Sequence, residues 1–148
     1  MRCVTRRARA GFLMACVLGL SSGCNGSRIP GDTGTVTGRA TFKGDPIPEG
    51  STIVFLHRGK GIVGTGVTDA EGAFSLQMRE EPRVLVGEYS VGITPPGEID
   101  PNNVTIFTDK APAAWKKVPR KYWSPETSNE TFTVKAGEND YQLQLKEK

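Results

Sequence analysis

Cysteine and histidine are nearly absent from this chain, and their scarcity closes off several kinds of chemistry at once. The 148 residues hold three cysteines and one histidine. Cys3 and Cys16 fall within the first 23 residues, so Cys24 is the last thiol in the sequence. One remaining thiol cannot form an internal disulfide, and a zinc site wants three or four His, Cys or carboxylate ligands. Neither a metal nor a cofactor is expected. His57 would have to serve any Ser-His-Asp arrangement alone, from the end of an apolar segment. A strand-end histidine satisfied by its neighbours is the plainer reading.

An excess of one charge is also missing. Four of the 19 basic residues, Arg2, Arg6, Arg7 and Arg9, lie in the first 23 positions, and no acid does. Beyond them 15 basic face 16 acidic side chains, a net charge near −1. A nucleic-acid partner needs a clustered basic face. Lys116, Lys117, Arg120 and Lys121 form the one local basic cluster, which reads as solvated loop charge, and no nucleic-acid partner is expected. Asp69, Glu71 and Asp140 sit among turn residues, without the alternating acids before a glycine that mark a calcium loop.

The amino terminus carries a clear pattern. After the arginines comes an apolar run over residues 10–20, then Ser21-Ser22-Gly23-Cys24. A basic start, an apolar stretch of roughly 7–15 residues and small residues before a cut define a secretory signal. The run falls short of the ~20 residues that cross a bilayer as a helix. A cysteine directly after the small residues resembles the lipobox of bacterial lipoproteins, with Leu20 one position further away than the usual leucine. The resemblance implies a lipoprotein signal peptide over 1–23, cleavage before Cys24, and a lipid on its thiol and new amine. Acylation would also remove the liability of an odd cysteine in an exported domain. An ordinary signal cut nearby would instead leave a soluble secreted domain. Residues 24–34, rich in Gly, Pro, Ser and Asp, read as a flexible tether.

About 110 residues remain, enough for one domain and too few for two. From Thr35 they break into short β-rich runs between turn signals, with no helical period of any length. The runs cover residues 35–42, 51–57, 62–68, 73–78, 88–94, 131–134 and 141–145. Residues 68–74 read as a hairpin with Gly72 free to take positive φ. The turn over 135–140 joins the last two runs. About seven alternating strands argue for an all-β, seven-stranded antiparallel β-sandwich. The expected core is Val36, Phe42, Ile53, Phe55, Phe74, Leu76, Tyr89, Val91, Phe132, Val134, Tyr141, Leu143 and Leu145.

Several turn motifs in this order resemble a carboxypeptidase regulatory-like domain: Val36-Thr37-Gly38-Arg39-Ala40, Pro46-Ile47-Pro48-Glu49-Gly50, Gly66-Val67-Thr68-Asp69-Ala70-Glu71-Gly72-Ala73-Phe74 and Val86-Gly87-Glu88-Tyr89. That resemblance implies a transthyretin-like (prealbumin-type) sandwich over residues 35–148. The carboxyl-terminal part resembles planctomycete lipoproteins of this group, through Pro119-Arg120-Lys121-Tyr122, Ser124-Pro125-Glu126-Thr127-Ser128 and Gly137-Glu138-Asn139-Asp140. The related fold that hydrolyses 5-hydroxyisourate uses several histidines, which this chain lacks. The class implied is a non-enzymatic, lipid-anchored module of a bacterial cell envelope, facing periplasm or exterior, for adhesion, scaffolding or ligand binding.

The insert over 95–128 resists a purely structural reading, because loops longer than ~12–15 residues are uncommon unless functional. It holds Trp115, Tyr122 and Trp123, with both tryptophans of the chain among them. As an exposed surface these rings would stack on polysaccharide or anchor an envelope protein, making a carbohydrate-binding module. Folded back, they would cap one open edge of the sandwich. Tyr122 or Trp123 is expected to be buried, and Trp115, between alanines and lysines, to be exposed. Thr105-Ile106-Phe107 is a candidate extra strand.

Overall fold

The computed structural model describes residues 29–96 and 113–147. The signal segment 1–23, Cys24 with residues 25–28 of the tether, and the candidate strand at Thr105, Ile106 and Phe107 lie outside the described residues.

Alternation of apolar and polar side chains puts one face of each strand inward, and two such faces meet to form the core. Nine strands are present among the described residues: β1 (Thr33–Phe42), β2 (Asp45–Pro46), β3 (Thr52–His57), β4 (Val63–Val67), β5 (Ala73–Ser75), β6 (Val84–Leu85), β7 (Gly87–Thr94), β8 (Glu130–Val134) and β9 (Gly137–Leu145). All seven expected runs are strands, and the two-residue β2 and β6 are additional. One sheet is antiparallel in the order β4-β3-β7-β8. The other is centred on β1, whose one edge is shared in turn by β6, β5 and β2. Along its other edge β9 runs parallel, from Gly34↔Gly137 to Phe42↔Leu145. The all-β sandwich therefore holds, with a correction to its wholly antiparallel pairing. Alternation reports which face is buried and carries no information on strand direction.

Two tight turns join the sheets at the sides, each passing the chain from the β4-β3-β7-β8 sheet to the β1 sheet. In the first, Asp69 Oδ1 accepts from the backbone N–H of Glu71 and Ala73 at 3.0 and 2.8 Å. Gly72 has φ 75° there, and a Cβ would come within 2.5 Å of Ala40 O. Both demands exclude larger residues. The arms then part, β4 joining one sheet and β5 the other, with a bridge between Thr65 and Gln77. In the second, between β8 and β9, the Asn139 side chain accepts from Lys135 N and donates to Lys135 O and Thr35 O. That clamp explains the Asn of the Gly-Glu-Asn-Asp motif and lets β9 start at Gly137, earlier than the expected turn allows.

Ten of the thirteen expected core residues are buried. Phe42, Phe132 and Tyr141 are half-buried and pack against the cluster. Phe132 and Tyr141 lie 4.5 Å apart at the β8–β9 side, each edge-on to Phe55. Rings at a sandwich edge keep one side open, because no third layer covers it. Tyr89 is fully buried and donates to Leu85 O at 2.6 Å. The tether prediction is corrected at its end: Ile29 is buried and Val86 N donates to Asp32 O, so residues 29–34 belong to the domain.

Candidate functional site

The insert reaches the sandwich through three short helical turns at the end where β1 finishes. The first is a 3-10 turn, Ala113–Lys117, the second Arg120–Trp123, and the third a helical turn, α1 (Pro125–Ser128). Proline before or at the start of the last two presets the backbone and suits a first helical position. Ser124 caps α1, its side chain accepting from Glu126 N, and Asn129 ends it in the left-handed conformation.

Trp115 shows no exposed surface, and its indole N–H donates to Ser51 Oγ at 3.0 Å. Ser51 Oγ passes a hydrogen bond on to Pro48 O. Trp123 meets Trp115 edge to face at 5.7 Å. Tyr122 is buried too, its hydroxyl 3.3 Å from both N and O of Lys146 just after β9. The three candidate residues are thus brought together, facing inward. Trp115 was expected at the surface; it is instead the largest fully buried side chain. The reason is geometric: the two sheets leave an open end between the Ser51 loop and the end of β9. A large ring fills that end, and Ser51 satisfies its one polar atom.

Helix α1 fastens the insert to the outer face of β7. Ser128 Oγ donates to Val91 O. A Cβ on Gly92 would stand 2.5 Å from Pro125 N, so the close approach requires glycine. Sequence reasoning missed Ser51, Gly92 and Ser128; a glycine inside an otherwise apolar strand was the available signal.

Four cations remain at the surface of this end. Lys116, Lys117 and Arg120 are exposed. The Arg120 guanidinium lies 5.4 Å from the Trp123 ring, and Lys121 Nζ 4.5 Å from that of Tyr122. A cleft of about 150 Å³ opens beside Lys117, walled by Phe42, Pro46, Ile47, Pro48, Ala114 and Val118, with the Asp45 carboxylate also at its lining.

Other reactive types are engaged elsewhere. His57 is buried, and its Nδ1 accepts from the N–H of Gly59 and Lys60 at 3.1 and 3.2 Å. The ring proton therefore sits on Nε2, 3.3 Å from Val86 O. This is the satisfied strand-end histidine. A shallow trough of about 720 Å³ crosses the outer face of the β1 sheet and includes Arg39, Asp69 and Asp140. Asp69 is committed to its turn, and both Asp140 oxygens accept from Gln142 Nε2 at 3.1 and 2.9 Å. Among the described residues, no three His, Cys, Asp or Glu side chains group to hold a metal ion.

The arrangement defines an all-β sandwich with one end plugged by an aromatic insert. No family model and no curated protein matches this chain. Among solved structures it is similar to a DUF3823 family protein from Parabacteroides merdae, at 14% identity and a TM-score of 0.44. That match covers 78% of this chain and 46% of the other, so the chain spans about half of that protein's length. It is also similar to the dioxygenase domain of a dioxygenase–carbohydrate-binding protein fusion from Streptomyces sp. SirexAA-E, at 18% identity and a TM-score of 0.41. That match covers 81% of this chain and 83% of the other. Likenesses this remote say nothing about function.

Proposed function

We propose that this protein is a non-enzymatic, lipid-anchored β-sandwich module of a bacterial cell envelope, held to the membrane through Cys24 and serving adhesion, scaffolding or ligand binding. One observation carries the non-enzymatic part. The side chains best suited to chemistry or ring stacking, His57, Trp115, Tyr122 and Trp123, are all spent on holding the fold. A stacking platform for neutral sugars built on Trp115, Tyr122 and Trp123 loses its basis, since these three rings face inward. The lipobox-like Ser21-Ser22-Gly23-Cys24 after an apolar run supports the anchor, and the turn motifs support kinship with carboxypeptidase regulatory-like domains.

Anchoring also sets orientation. Asp32 and Thr33 lie beside Val86 and Leu85, and from there β1 carries the chain about 33 Å at ~3.3 Å per residue to the plugged end. That end faces away from the membrane. Expressed in a bacterial host, the full chain should partition into detergent and carry the mass of acyl groups on Cys24. Cys24→Ser should release it to the aqueous phase. A wild-type protein found wholly in the aqueous phase, with a different amino terminus, would sink the anchor.

A further inference from the structure

We infer that Lys116, Lys117, Arg120 and Lys121 form a docking surface for an acidic polysaccharide, a linear polymer bearing carboxylates on its sugar rings. The inference deepens the module reading by naming a partner class, and rests on it only for the direction the surface faces.

The charge is concentrated and unanswered. Four cations occur within six residues, and residues 113–125 contain no acid. No ion pair among the described residues uses any of the four; Lys43 pairs with Glu147 and Arg58 with Glu88 instead. Two of the cations are also pre-positioned. Arg120 and Lys121 lie over the rings of Trp123 and Tyr122, which are themselves locked in the plug. Such contacts hold long side chains in place and lower the ordering cost of binding an anion.

The same burial selects among polyanions. Stacking of single-stranded bases uses exposed rings, and insertion into a membrane interface uses apolar side chains. Trp115, Tyr122 and Trp123 are hidden, so this end offers neither. A folded acidic protein wants about 800 Å² of contact per partner, far wider than a six-residue run. A thin chain suits it better. The cleft beside Lys117 is small, about 150 Å³. Its Phe42, Pro46 and Pro48 walls can receive the C–H face of a sugar ring whose carboxylate meets the Lys117 ammonium, while a ring hydroxyl can donate to Asp45, the one acid of the lining.

The test measures binding of polygalacturonate to the full chain in a non-ionic detergent, with dextran, poly-L-glutamate and anionic vesicles as comparisons. Polygalacturonate should bind best at low salt and weaken as salt rises, because the contacts are exposed. At about fivefold per cation, the Lys116→Gln, Lys117→Gln double variant should lose roughly 25-fold in affinity at unchanged melting temperature. Arg120→Gln with Lys121→Gln should lose as much; if it melts early, the first pair decides alone. Lys135→Gln, at the opposite end, should bind like wild type. Undiminished binding by the first pair, equal binding of dextran, or preference for poly-L-glutamate or vesicles would each overturn the proposal. A failed anchor changes membrane partition and leaves these affinities untouched, so the two failures are distinguishable.

Discussion

At Trp115 a single side chain decides between two readings of the insert, and its consequences can be measured. Its ring fills the open end of the sandwich and meets Trp123 and Ser51. Trp115→Ala should cost about 3–5 kcal/mol, as emptied aromatic sites do, and both tryptophans should resist a neutral fluorescence quencher. Ser51→Ala should cost about 1–3 kcal/mol, because it strands a buried indole N–H. A melting temperature unmoved by Trp115→Ala would restore a surface role. Tyr89 gives a pH signature. Burial pushes its phenol up to about 12, above the ordinary value near 10. Burial, followed by the Glu130 charge, raises that of Tyr141 as well. The folded state thus favours the neutral phenols. Their contribution is complete below about pH 10 and is lost as pH climbs toward 12. Alkaline unfolding should track phenolate absorbance, and Tyr89→Phe should flatten the decline.

At the scale of elements, α1 and β7 are matched through one missing methyl group. Gly92→Ala would drive a Cβ against the backbone of Pro125. Overpacking of this kind costs roughly 1–3 kcal/mol, and here it should lift α1 and loosen the plug. The readout is a lower melting temperature together with increased quenching of Trp123. Pro125 and Ser124 were legible as turn chemistry. Their seat on β7 was not, since nothing local in residues 124–128 names the strand they cover. The β4–β5 turn was legible at Asp69 and Gly72, whereas the division of its arms between two sheets depends on partners far away in sequence.

For the whole molecule, the long-range pairing of β1 with β9 dominates. These strands are about a hundred residues apart in sequence, and such non-local contacts slow folding to milliseconds or seconds. Stopped-flow tryptophan fluorescence should show refolding in that range, with strand-dominated circular dichroism regained alongside it. Microsecond refolding would mean that the plug and the antiparallel sheet form without waiting for β9.

Alternation along short runs, and Gly, Pro, Asp and Asn between them, determined the all-β class, most strand positions and most of the core. These are local signals, because burial on one face writes a period of two into each strand. The lipobox-like ending at Cys24 is equally local. Tertiary structure alone decided the parallel course of β9, the inward turn of Trp115 and the pairing of its indole with Ser51. Direction and partner depend on where distant segments meet, and neither leaves a period in the chain. An aromatic beside lysines reads the same whether it faces solvent or fills a gap. Only the shape of the gap, set by both sheets together, distinguishes the two.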